Sequence, residues 1–251
     1  MKVQTAIEKI IQTLTSWPEI AGITLMNHQT DIYDPYFFIS LDVYYSGTLS
    51  SENTRRDHFT FTGGFEAGAL GRKDRFMFED IPFRIEYKNT ARFEEIPKMI
   101  ADSSIFLREG GTYYFHRFLH SEILYEKDQW VSRTRPSFSE LPEDFWVSLR
   151  TTNQNRMEYY LSDLGAAVMR DDNFFFMISA AGFLKSLCST LYAINRQFES
   201  SSRYVSSEVF QLSKLPDAFV GSMDNFLNNN ETSMGRKREV AEILAKKILH
   251  L

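Results

Sequence analysis

A chain of 251 residues that is 43% apolar and 15% aromatic can bury a sizeable core, which excludes a disordered or low-complexity protein and permits one large domain or two small ones. Its 28 Lys and Arg stand against 33 Asp and Glu, a formal net charge of −5, so no general attraction to nucleic acid or to an anionic membrane is expected, and phosphate must be met at a specific site. The single cysteine, Cys188, excludes an intrachain disulfide, and its apolar helical setting reads as a buried thiol. The amino terminus leads into an amphipathic pattern, and the longest apolar run, Phe174 to Ala181, is far short of the roughly 20 residues a bilayer requires. A cytoplasmic protein without a membrane partner is the expectation.

In chain order, Ile7, Ile10, Ile11 and Leu14 recur at helical spacing and predict a helix over about 3–16, closed by Trp17-Pro18. Ile20 to Met26 reads as a short buried strand, and a polar stretch with Asp31, Asp34 and Pro35 separates it from a strand over 37–45. A polar turn is expected at Ser50–Arg56. Alternation returns in His58–Thr62, ends at Gly63-Gly64, and resumes over 75–78 and 82–87. The glycine-rich Gly63–Gly71 has no Lys-Ser/Thr ending and reads as a hairpin end or lid rather than a phosphate loop.

From Thr90 the character changes, with helices predicted over 93–101, 113–124, 143–169, 174–198, 206–212, 217–227 and 236–251. Val240, Ile243, Leu244 and Ile248 form one stripe of the last helix, opposite a basic, solvated face. The polar Asn228–Gly235 stretch is the most linker-like segment. The class is therefore α+β: a mixed sheet with helices over 1–108, followed by an all-α helical bundle over 109–251.

Chemistry concentrates on two strands that each carry one acid, Ser40-Leu41-Asp42-Val43-Tyr44 and Arg84-Ile85-Glu86-Tyr87. Side chains alternate across a strand, so Ser40, Asp42 and Tyr44 share one face. An acid within a β-branched, aromatic run costs folding free energy unless it is paired, hydrogen-bonded or bound to metal. A half-wet edge strand accounts for it as well as a cation site does. Other candidates read as structural: His116 and His120 as packing or surface histidines, Asn195 as a helix C-terminal cap, and Tyr159-Tyr160-Leu161 and Phe174-Phe175-Phe176 as core.

The order helix, strand, polar loop, acid strand, insertion, acid strand resembles the nucleotidyltransferase domain of the polymerase-β-like superfamily. Leu25-Met26-Asn27-His28-Gln29 stands where aminoglycoside adenylyltransferases carry an apolar-apolar-Asn-Gly-Ser run, and ten residues separate Gln29 from Ser40. Ser40-Leu41-Asp42 falls on the family's Asp-x-Asp pair and Glu86 on its third carboxylate. Ile123-Leu124-Tyr125-Glu126-Lys127-Asp128 looks like the Leu-Tyr-Asp-x-Asp-Gly segment of relatives with a helical bundle, and Leu191–Asn195 with Arg203 is similar to their later helix end.

The resemblance implies Asp42 and Glu86 as catalytic and Mg²⁺-binding residues, with Asn27, His28, Gln29 and Ser40 as nucleotide-binding residues. It also implies a nucleoside triphosphate and a small hydroxyl-bearing acceptor as partners, transfer of AMP, and a site in the cleft between sheet and bundle. Clustered carboxylates holding divalent cations would stabilise the attacking and leaving oxygens, and a small-residue turn would let backbone N–H groups reach the phosphates. The chain departs at two points: His28-Gln29 replaces Gly-Ser, and Ser40 replaces the first Asp. A hydroxyl is a poor substitute for a bridging carboxylate on Mg²⁺. The alternative is a pseudoenzyme that keeps the fold as a binding or interaction module.

Overall fold

A computed structural model describes residues 2–26, 37–96, 111–228 and 233–251. The chain forms two compact units, one from 1–99 with 117–140, the other from 100–116 with 141–251.

The first unit is built on a six-stranded sheet of order β3-β4-β5-β2-β1-β6. Its strands are β1 (Ile20–Leu25), β2 (Ile39–Tyr45), β3 (Gly63–Ala67), β4 (Lys73–Phe78), β5 (Ile81–Asn89) and β6 (Glu122–Glu126). Only β2 and β5 pair in parallel; the other ladders are antiparallel. The parallel pair needs a crossover, supplied by α2 (Glu52–His58), β3 and β4. A two-residue turn with Glu79 and Asp80 at φ 48° and 65° joins β4 to β5, the positive-φ geometry that suits the twist of a tight hairpin.

Both faces of this sheet are covered. On one, α1 (Lys2–Thr15) sets Ala6, Ile7, Ile10 and Leu14 against Ile23, Leu41, Val43 and Ile85. Phe59 joins them, its ring 4.9 Å from Phe76 and 5.9 Å from Trp17. A buried ion pair lies on the same side: the Arg55 Nε and Nη2 groups donate to Asp74 at 2.8 and 2.9 Å, and Nη1 donates to the Ser50 carbonyl. On the other face Tyr44 meets Phe93, Phe118 and Trp130, with ring centroids 5.2–5.4 Å apart. Those rings come from α3 (Thr90–Glu95), α4 (Tyr113–His120) and α5 (Trp130–Thr134), followed by α6 (Pro136–Ser139). Gly22 is required here, because a Cβ would stand 2.7 Å from Val131 Cγ2.

Three expectations are corrected in this unit. From Glu52 the expected turn of Ser50–Arg56 is helix, because Ser51 caps α2 by accepting the Thr54 N–H. The aromatic alternation of His58–Thr62 is not a strand: it ends α2, and the strand begins at Gly63. The end of the helix predicted to Leu124 is β6, which pairs with β1. That pairing returns 117–140 to the sheet, so no single cut at 108 divides the chain. The part of the 93–101 helix beyond Ile96 lies outside the described residues.

The second unit is helical. α7 (Glu143–Arg170) and α8 (Asn173–Ile194) form a long hairpin, which Asp171 turns at φ 52° and Asp172 restarts by accepting the Phe175 N–H. α9 (Val205–Glu208), a 3₁₀ turn at Val209–Gln211, α10 (Phe219–Asn228) and α11 (Met234–Leu249) complete it. Phe176, Phe183, Leu187 and Leu191 of α8 pack with Met157 and Leu164, Phe226, and Leu244 and Ile248. In length and apolarity α8 is a helix that could cross a membrane, but 56% of its apolar window is buried, as in a core helix. Phe174 and Tyr159 are corrected from core to surface at 78% and 64% exposed, and Ile243 of the α11 stripe is also exposed.

Asn195 closes α8 as the sequence predicts. Its Nδ2 donates to the Leu191 and Lys214 carbonyls, while Oδ1 accepts from Ser213 Oγ and the Lys214 N–H. Asn195→Ala is expected to cost about 1–3 kcal/mol, the range for losing bonds that leave helix-end groups unmatched. Urea denaturation checks it; a loss below a few tenths would mean that water replaces the side chain.

Candidate functional site

The acid strands place Asp42 of β2 opposite Glu86 of β5, partners in the parallel ladder, with Ser40 opposite Arg84. Neighbouring parallel strands lie about 4.8 Å apart and partnered residues share a face, so the two acids do face one space. What fills it differs from the expectation. Arg117 donates from Nε to Asp42 Oδ2 and from Nη2 to Oδ1, both at 2.8 Å, and Nη2 also reaches Ser40 Oγ at 2.9 Å. Lys88 Nζ lies 2.7 Å from Asp42 Oδ2. Asp42 is completely buried, and the Lys88 and Arg117 side chains are only 2% and 8% exposed. Glu86, partly exposed, pairs with Lys73 at 2.9 Å.

Electrostatics follow from that packing. Burial alone would raise the Asp42 carboxyl, but the Arg117 guanidinium and then the Lys88 ammonium outweigh it and hold Asp42 below the ordinary carboxylate range. For Lys88 burial is the larger influence and, with Arg117, pulls its ammonium down against the attraction of Asp42. One carboxylate, one guanidinium and one amine are thus buried in mutual contact. Glu86 also attracts Lys88.

Such a site does not fit Mg²⁺. The ion demands octahedral oxygen ligation at about 2.0–2.1 Å, whereas both Asp42 oxygens already accept from Arg117 and one also meets Lys88. Bringing a divalent cation beside two buried cationic side chains adds repulsion in a low-dielectric setting. Among the described residues no group of three or more His, Cys, Asp or Glu could hold a metal. The resemblance implies Mg²⁺ at Asp42 and Glu86; the structure sets protein cations on Asp42.

Asn27, His28 and Gln29, like Asp31 and Asp34, lie outside the described residues. Glu66 is exposed on the edge strand β3, opposite Arg75. His116 Nδ1 lies 3.2 Å from the Phe198 carbonyl, and His120 is exposed. Burial pushes the Cys188 thiol up to about 12, an unreactive sulfur as expected.

Two residues of the cluster, Lys88 and Arg117, were not assigned from the sequence. Lys88 was within reach: it follows Glu86 by two positions on β5 and so shares its face. Arg117 is 75 residues from Asp42 in sequence and carries no local signal.

No family model matches the chain, and no curated protein does. Its structure is similar to that of a nucleotidyltransferase-like protein from Exiguobacterium sibiricum 255-15, with a TM-score of 0.54 over 99% of this chain and 74% of that one, at 10% identity. The fold is nucleotidyltransferase-like. A second similar structure is an aminoglycoside 6-adenyltransferase from Bacillus subtilis, at 10% identity over 96% of this chain and 86% of that chain, with a TM-score of 0.35. On this fold Asp42 of β2 is paired with Lys88 and Arg117.

Proposed function

We propose that this chain is a pseudoenzyme of nucleotidyltransferase-like fold, acting as a binding or interaction module without metal-dependent transfer. The observation that carries this reading is the engagement of both Asp42 oxygens by Arg117, with Lys88 against one of them. Transfer of a nucleotidyl group requires cations held by carboxylates where charge develops. A buried carboxylate already matched by two side-chain cations has little left for that task, and Ser40 adds a hydroxyl that Arg117 also occupies.

One observation favours the rival reading, Mg²⁺-dependent nucleotide binding with AMP transfer to a small hydroxyl-bearing acceptor: Asp42 and Glu86 stand in register on neighbouring strands. Calorimetric titration of ATP with Mg²⁺ or Mn²⁺ into the wild-type protein, beside a pyrophosphate-release assay, separates the two. The expected result is no metal-dependent binding at millimolar ATP and no release. Saturable, metal-dependent binding that Glu86→Gln removes would overturn the pseudoenzyme reading, because Glu86 is partly exposed and its loss leaves the Asp42 cluster intact.

A further inference from the structure

Within the helical unit, independently of the acid strands, lies a cavity of about 60 Å³. Its walls include Asn153, Arg156 and Tyr160 of α7, Lys185 and Ser189 of α8, and Glu199 from the segment after α8. The charges here are of both signs, yet among the described residues no salt bridge within 4.0 Å joins Arg156, Lys185 or Glu199. Lys185 is exposed at its position, whereas Arg156 and Glu199 are half-buried. The wall charges are therefore one carboxylate with an ammonium and a guanidinium around it, Lys185 and Arg156 both near enough to act on the Glu199 carboxyl and neither joined to it.

Two glycines let the wall residues approach closely. Gly111, at φ 100°, lies against Glu199, and a Cβ there would approach Oε2 to 3.1 Å. The Glu199 N–H donates to Thr112 Oγ1 at 2.7 Å, which fixes the backbone beside that contact. Across the cavity, the Tyr160 ring sits so close over Gly182 that a Cβ would meet it at 2.4 Å. Burial raises the Glu199 carboxyl, against a hydrogen bond from Ser189 and the pull of Lys185 and Arg156. A cationic group placed beside it would offset the lost hydration.

We propose that this cavity binds the head group of a small amino-carboxylate, its carboxylate toward Arg156 and its ammonium toward Glu199. A water needs about 10–15 Å³ of such volume, so the space takes about four to six non-hydrogen atoms, and an α-amino acid head group has five. A simple anion would meet repulsion from Glu199; a simple amine would meet it from Arg156 and Lys185. A molecule carrying both charges answers both, and the guanidinium fork suits a carboxylate in two-point contact.

Glycine, acetate and methylamine are the probes, titrated separately into the full chain and followed by ligand-observed NMR and calorimetry. Glycine is expected to bind saturably, and about tenfold or more tighter than either single-charge probe, the scale of one charged hydrogen bond. Arg156→Gln and Glu199→Gln are each expected to weaken glycine by about tenfold or more. Acetate binding as well as glycine, and strengthened by Glu199→Gln, would overturn the proposal in favour of an anion site. Absence of saturable glycine binding to the wild type overturns it outright. The wild-type comparison of three probes decides the matter even if either variant fails to fold.

Discussion

Replacing Asp42 by Asn is expected to destabilise the protein by about 3–5 kcal/mol, the cost of removing one partner from a buried ion pair. The isosteric amide keeps the volume and removes the carboxylate that Lys88 and Arg117, 2% and 8% exposed, share. Urea denaturation at neutral pH checks the magnitude, with unchanged m-values indicating that stability alone has moved. A second signature separates electrostatics from packing. The ammonium of Lys88 is already pulled down by burial and by Arg117, so in the variant it sheds its proton more readily still. The deficit of Asp42→Asn should therefore shrink as pH rises above neutrality. A loss below about 1 kcal/mol, within the range of exposed pairs, would show that water reaches the cluster.

The pH dependence of the wild type follows from the same group. Asp42 is held below the ordinary carboxylate range in the folded state, and its unfolded value is about 3.9. The stabilisation from this shift is fully present above the unfolded value and is lost as pH falls through the lower folded one. Acid titration of the wild type should then show a loss below about pH 4 that Asp42→Asn lacks.

Arg55→Met is expected to cost a similar amount, about 3–5 kcal/mol, on the opposite face of the same sheet. Its guanidinium makes two short bonds to Asp74 and one to the Ser50 carbonyl, and lies 4.9 Å from the Tyr87 ring centroid. Burial pulls the Arg55 guanidinium down, but the Asp74 partnership outweighs it, so the pair is charged. Methionine leaves Asp74, at 0% exposure, without its counter-charge. The double variant Arg55→Met/Asp74→Leu should recover most of the loss, since an apolar replacement of both partners is often neutral. Equal losses in single and double variants would assign the effect to the Ser50 bond and the ring contact instead.

How much of this was legible beforehand depends on the range of the interactions. β1, β2, β4 and β5, α1 and the long helices announce themselves through local periodicity, and each appears within a few residues of its expected place. β6 does not, because Ile123-Leu124-Tyr125 is a short apolar run at the end of a helical pattern, and only pairing with β1 decides its state. Phe59 alternates with Phe61 as in a strand, yet its ring turns inward against Trp17 and Phe76 at the end of α2. Tertiary packing overrides the pattern there. At the candidate site, the acids and their shared face are readable from strand alternation. Their neutralisation is not, since Arg117 reaches Asp42 from α4. In the helical unit, Arg156 and Glu199 come to one cavity from α7 and from the segment after α8, with no common motif.

The lysine and arginine on Asp42 also decide what a second acid beside it would do. Ser40 is where such an acid would meet the cluster, because Arg117 Nη2 already donates to the Ser40 hydroxyl. An aspartate arriving there would fall to that guanidinium and balance the surplus positive charge, making the cluster tighter and no better disposed to a metal. The consequence is one of charge: an acid added at Ser40 would join the ion cluster and leave Asp42 held by Lys88 and Arg117 as before.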